Sequence, residues 1–251
     1  LHIPSHSFPT RRSSDLNEKG HLCFAGRDTV ELAEKYGTPL YLMDEEKIRE
    51  NCRVYVNALK KYFGENALPI YASKANSFKR IYAIINEEGM GSDVVSSGEI
   101  YTAKKAGFPM EKTFFHSNNK TDADVEFAME NGVGFFVADN SEELDAINSK
   151  AKTRNIRQKV LLRLTPGIDP HTFAAVATGK VDSKFGAAIE TGQAEELTKY
   201  ALSLENIDLQ GFHCHVGSQV FDSEVYIKAA EIMLSFVKEM LRKYSFETKI
   251  L

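Results

Sequence analysis

The chain has 251 residues, 31 Lys+Arg against 35 Asp+Glu, and a formal net charge of −4. With no surplus of positive charge to displace counterions, nucleic acid and anionic membrane surfaces are excluded as expected partners, and no apolar run nears the roughly 20 residues of a membrane span. Hydrophobic residues at 43% suit a folded core, and Cys23, Cys52 and Cys214 are too few and scattered for a disulfide framework or zinc site, which points to a reducing cytoplasm.

The chain begins LHIPSHSFPTRRSSDL. This has no apolar stretch for a secretory signal, and its Ser and Arg residues suggest a transit peptide only faintly. Residues 6–16 match the in-frame translation of a common sequencing adapter, so residues 1–16 are expected to be non-native. Residues 21–24 read as a short strand. A helix is expected over 29–36, with Gly37 at its C′ position and Pro39 as a stop. Residues 39–43 read as a second strand, and Asp44 caps a helix over 45–63. Strands are then expected at 69–73, 92–95, 113–116, 134–138, 160–164 and 209–215. Helical stretches lie between them, at 97–106, 122–131 and 141–152 among others. A longer helix over 223–243 follows, and 247–251 reads as the start of a further strand.

Short apolar strands alternating with amphipathic helices indicate a parallel sheet covered by helices. Neither G-x-G-x-x-G nor G-x-x-x-x-G-K-[ST] occurs, so a doubly wound nucleotide fold is disfavoured. Polar residues gather instead at the carboxyl ends of several strands: Lys74, Asp93, His116, Asp139, Arg163, His213 and His215. That suits an α/β fold of the (β/α)8 TIM-barrel type, whose site is built from strand ends. Six barrel strands and the start of a seventh are expected. The expected layout is a non-native segment over 1–16, a lead-in over 17–44 and a partial barrel over 45–251.

Several of these residues carry chemistry. Lys74 ends an apolar strand; desolvation there would make it an amine nucleophile for a Schiff base, and the alternative is a solvated lysine just past the strand. His213 and His215, two apart, share a strand face. They could ligate a metal with help from His116, His171, Asp93 or Asp139. Alternatively, one imidazole stacks on a flat cofactor while Gly217 and Ser218 offer a backbone N–H and a hydroxyl to a phosphate; a purely structural pair is the third reading. Residues 178–186, Thr-Gly-Lys-Val-Asp-Ser-Lys-Phe-Gly, are a phosphate loop or a flexible lid. Asp93 and Arg163 are strand-borne charges that need partners, and could be each other's.

Five motifs stand in order: Ile-Tyr-Ala-Ser-Lys-Ala-Asn (70–76), Gly-Ser-Asp-Val-Val-Ser-Ser-Gly-Glu (91–99), Leu-Arg-Leu-Thr-Pro-Gly-Ile-Asp (162–169), residues 178–186, and Gly-Phe-His-Cys-His-Val-Gly-Ser-Gln (211–219). Together they resemble the diaminopimelate decarboxylases, members of the alanine-racemase-like, fold-type III pyridoxal phosphate enzymes. Leu-Cys-Phe-Ala-Gly (22–26) and Tyr-Gly-Thr-Pro-Leu-Tyr (36–41) resemble that family's start. The resemblance covers residues 20–251.

It implies pyridoxal 5'-phosphate as cofactor and no metal. Lys74 would be the Schiff-base lysine, His215 would stack on the pyridine ring, and Ser218 with Gly217 would bind the phosphate. Asp93 and Arg163 would line the site. The implied reaction is loss of CO2 from the D-configured centre of meso-diaminopimelate, a small amino-acid substrate, to give L-lysine. The resemblance also implies a cytoplasmic homodimer. The sequence departs from the family pattern at Thr165, where Asn is usual, and after His171-Thr172, where Phe173-Ala174-Ala175 replaces a second His and an aromatic. The family's Gly-Gly-Gly loop, Glu-Pro-Gly-Arg stretch and C-terminal β-domain are not found before Leu251, so the chain is expected to be a truncated copy, poorly soluble and nearly inactive when made alone. Other readings are a sister enzyme acting on ornithine, arginine or carboxynorspermidine, a non-catalytic single-barrel pyridoxal phosphate carrier, and, more distantly, a metal hydrolase.

Overall fold

A computed structural model describes residues 16–168, 185–218 and 220–251. Of the segment expected to be non-native, residues 1–15 lie outside the described residues, and Leu16 forms an isolated antiparallel bridge with Leu22. Two short strands, Cys23–Phe24 (β1) and Arg27–Asp28 (β2), pair antiparallel across Ala25-Gly26. Both turn residues have positive φ (50° and 73°), the condition for a two-residue turn that matches strand twist. Asp28 then caps helix α1, Thr29–Tyr36, by accepting from the N–H groups of Val30 and Glu31. Residues 39–43, expected as a strand, join no strand among the described residues. Pro39 has no N–H to donate, and Tyr41 is 95% exposed, so this segment presents no face to bury. Helix α2, Glu45–Phe63, follows its Asp44 cap.

Strand and helix then alternate as expected. The run is β3 (Ile70–Ala72), α3 (Lys79–Glu87), β4 (Gly91–Val94), α4 (Ser97–Lys105), β5 (Thr113–Phe115), α5 (Asp122–Glu130), β6 (Phe135–Ala138), α6 (Ser141–Thr153) and β7 (Gln158–Thr165). After it come β8 (Ala187–Ala188), α7 (Gln193–Ser203), β9 (Ile207–Cys214) and α8 (Ser223–Tyr244). Every pair in the main sheet is parallel, in the order β3-β4-β5-β6-β7, with β9 along the far side of β7. The two-residue β8 was not foreseen. Leu164 pairs with Cys214 on one side and Ala187 on the other, so β8 continues the line of β6 past its end.

Alternation along each strand sorts side chains into two layers. Val94, Phe115, Phe136, Ala138, Val160, Leu162, Leu164 and Phe212 face the helices and join the main core, where they meet Ile81, Ile100, Leu144, Ile147 and Phe236. The opposite parity forms a small separate cluster of Phe114, Val137 and Leu161, flanked by Phe135 and Ile250. That second layer is the barrel interior. The sheet does not close among the described residues: β3 is an edge, and beyond β9 stands a single parallel bridge from Gly211 to Ile250. This bridge is where the sequence placed the start of a seventh barrel strand. Gly211 has φ 152°, and a Cβ there would lie 1.9 Å from the Ile250 carbonyl oxygen, so only glycine admits the incoming strand.

Candidate active site

The interior parity that places Phe114 and Leu161 in the barrel also places the polar strand-end residues. Asp93 ends the interior face of β4, His116 follows Phe114 by two, Asp139 follows Val137 by two, and Arg163 and His213 are paired in register on β7 and β9. Lys74 continues the interior parity of β3. It sits on a single 3-10 turn, Ser73–Ala75, just past the strand, and it is exposed. Its exposed position, just past the strand end, is that of the second of the two readings, a solvated lysine, and the turn carries it out of the apolar strand.

The turn itself is anchored from behind. The buried Ser73 hydroxyl lies 2.7 Å from the Asp93 carbonyl and 2.5 Å from Glu99 Oε2. Glu99 Oε2 also accepts from the Val95 N–H at 2.9 Å. Glu99 is three residues past the Ser96 cap of α4, and its carboxylate reaches back beyond the cap to the strand end. Glu143 repeats the device on α6, accepting from the Asp139 N–H at 2.7 Å, three residues past the Asn140 cap.

The charges pair differently from the sequence expectation. Among the described residues no ion pair joins Asp93 to Arg163. Arg163 Nη1 lies 3.9 Å from Asp139 Oδ1, and Asp93 Oδ1 lies 3.7 Å from His116 Nε2. The reason is sheet distance: β7 neighbours β6, which carries Asp139, whereas β4 is three strands away. The Arg163 guanidinium also stacks 4.5 Å over the Phe185 ring. Burial pushes the Asp93 carboxyl up to about 7, against the pull of Lys74 and Arg163. Burial lowers His213 to about 3 and His215 to about 4, with Arg163 adding to both and Lys74 to His215. These imidazoles are neutral at pH 7.

Gly217 (φ 140°) and the exposed Ser218 follow β9, in a loop pinned by buried Val216 against Val225 and Ala229 of α8. Phe185 and Gly186 are described in the loop over 178–186; Thr178 to Lys184, and His171, lie outside the described residues. Sequence reasoning gave no role to Lys120, Glu143 or Glu99. The Ser-x-x-Glu and Asn-x-x-Glu spacings after two strands could have found the two glutamates; nothing in the pattern marks Lys120. Among the described residues no group of three or more His, Cys, Asp or Glu is placed to hold a metal ion, and no helix is long and apolar enough to cross a membrane.

What the cluster can hold follows from its unspent donors and acceptors. Asp93 Oδ1, Asp139 Oδ2 and His213 Nδ1 are buried on this interior face without a hydrogen-bond partner among the described residues. Such atoms are costly unless a ligand meets them. The exposed Lys74 amine, close enough to act on Asp93 and His215, a neutral imidazole and a glycine-serine loop fit a planar, polar aldehyde that carries a phosphate. A parallel barrel sheet with polar residues gathered at its strand ends is the site architecture of the α/β-barrel enzymes.

The pyridoxal-binding domain model of the pyridoxal-dependent decarboxylases matches residues 45–251, and the chain belongs to that family, whose cofactor is pyridoxal 5'-phosphate. It is 45% identical over 239 residues to the diaminopimelate decarboxylase of Bacillus methanolicus, covering 95% of this chain and 55% of that protein. Its fold is similar to the crystal structure of diaminopimelate decarboxylase from M. jannaschii, with a TM-score of 0.82 and 35% identity over 93% of this chain and 54% of that one. The lysine decarboxylase of Selenomonas ruminantium, at 23% identity and a TM-score of 0.75, shares the fold, over 93% of this chain and 54% of that one. The chain spans about half the length of the relatives it matches.

Proposed function

We propose that the chain serves pyridoxal-phosphate-dependent decarboxylation of meso-diaminopimelate to L-lysine and CO2, within a cytoplasmic homodimer. The same reading divides it into a lead-in over 17–44 and a pyridoxal-binding barrel from 45 onward. The supporting observation is that Lys74, Asp93, Arg163 and the histidines at 213 and 215 gather on one interior barrel face, in a chain whose likeness to proteins named diaminopimelate decarboxylase runs over nearly all of its length.

When bound, pyridoxal phosphate supplies the electron sink for the pair left by departing CO2. Lys74 offers the amine that holds the cofactor aldehyde. Asp93, titrating near pH 7, can hold or release a proton at Oδ1 beside that amine. His215, kept neutral, offers a flat uncharged ring for stacking. Arg163, oriented by Asp139 and Phe185, keeps a positive charge in the mouth and favours an anionic substrate group. Ser218 and Gly217 offer a hydroxyl and an unhindered backbone to the phosphate.

A chimera tests the reading. Residues 17–251 replace the matched half of the Bacillus methanolicus enzyme, and the product is assayed with pyridoxal phosphate against meso-diaminopimelate, ornithine, arginine, lysine and carboxynorspermidine. Lysine release from meso-diaminopimelate, lost in Lys74→Ala, is the expected result. Preference for another substrate rejects the assignment.

A further inference from the structure

The segment from β5 to α5 begins His116-Ser117-Asn118-Asn119-Lys120. The chemistry above gives it no part, yet its backbone is unusual. Ser117 has φ 154°, a conformation that L side chains rarely adopt. Such strain persists only where the surroundings over-determine it, and it gathers at functional sites. Lys120 supplies the constraint. Its side chain is wholly removed from solvent, and its ammonium donates to the Ser117 carbonyl at 2.8 Å, the Val137 carbonyl on β6 at 2.7 Å, and Glu143 Oε1 on α6 at 2.8 Å. All three ammonium donors are used. Glu143 is in turn tied to the strand end by the Asp139 N–H. Immediately before Ser117, the His116 ring packs edge-on against His213, with centroids 4.3 Å apart and planes at 73°, and turns Nε2 toward Asp93 Oδ1.

We propose that Lys120 is a positioning residue of the pyridoxal site: it holds Ser117 in its strained conformation and so fixes the His116 imidazole between Asp93 and His213. The inference rests on the reading of this barrel face as the cofactor site. A buried ion pair that served packing alone would need Glu143 and no strained carbonyl. The charged and titratable groups around His116 are Asp93 on β4, Arg163 on β7, His213 on β9, His215 just beyond β9, and Lys120 in its own loop.

The test compares the unaltered chain with S117G, K120M/E143Q and S117G/K120M/E143Q. Removing both charges together avoids stranding either one. Two readouts are used: the NMR titration of His116, assigned by its loss in H116Q, and pyridoxal phosphate binding followed by absorbance. In K120M/E143Q, the His116 titration is expected to move upward by more than removal of the Lys120 charge alone accounts for, as the ring leaves its buried position, and cofactor binding to weaken by about tenfold, within the range that strain of this size can bias. Adding S117G should restore cofactor binding and reverse the His116 shift down to the part that the missing Lys120 charge causes, because glycine takes φ 154° without strain. S117G alone should leave both unchanged and raise the thermal midpoint. A double variant with unchanged readouts, or one that S117G fails to restore, overturns the proposal. If the double variant does not fold, S117G alone decides, since a lowered midpoint shows that Ser117 was not strained. Absence of pyridoxal phosphate binding in the unaltered chain counts against the site reading, and the His116 titration then judges the clamp separately.

Discussion

Replacing Asp93 by Asn should make the chain more stable, and more so at alkaline pH. The Asp93 side chain is 20% exposed, and burial raises its carboxyl from 3.8 to about 7. A folded state that binds the proton more tightly than the unfolded state keeps its full advantage below 3.8 and loses it as pH rises through 7. A shift of that size corresponds to about 4 kcal/mol lost by pH 8, and about half of that by pH 5.5. Asn cannot ionise, so Asp93→Asn should recover about 4 kcal/mol at pH 8 and about 2 kcal/mol at pH 5.5. Urea unfolding of both proteins at the two pH values measures the difference. An equal gain at both pH values, or a loss at pH 8, would refute the claim that Asp93 is held ionised at a cost. Stability surrendered at one carboxylate is what a ligand-binding position is expected to show.

Three further outcomes follow from named contacts. His213 is lowered to about 3 by burial, so its contribution to stability is present above about 6.5 and fades as pH falls toward 3; His213→Phe should flatten the acid limb of a stability–pH curve, and an unchanged limb would count against its burial. Gly211→Ala places a methyl against the Ile250 carbonyl; it should cost about 1–3 kcal/mol and speed exchange of the Phe212 amide, which donates to that oxygen. Arg49 bonds Glu45, Glu87 and Glu88 and ties α2 to α3, so Arg49→Ala should lower the thermal midpoint by an amount that shrinks with added salt; a salt-independent loss would point to packing instead.

The strand-end cluster was legible because period-two alternation and strand order are sequence properties. Once Phe114 and Leu161 are taken as interior, His116 and Arg163 must follow. What the sequence withheld was lateral. Which acid meets Arg163 depends on sheet neighbours, and β6 lies next to β7 while β4 does not. The two-residue β8 carries no pattern of its own; it forms because β6 stops short and leaves the end of β7 unpaired. The exposure of Lys74 depends on a single turn that strand periodicity does not encode. Lys120 looks like a loop lysine until Val137 and Glu143 are brought to it by the fold. The family, by contrast, was readable from five ordered motifs, since each is spelled by residues that stay local.

Lys74 is the residue on which the cofactor site depends. Incubating the chain with pyridoxal phosphate, reducing with borohydride and mapping the modified peptide by mass spectrometry tests it directly. The expected result is one pyridoxyl group on Lys74, lost in Lys74→Ala and weakened when Ser218 is replaced by Ala. Labelling spread over the exposed lysines, or centred on a lysine away from this barrel mouth, would contradict it.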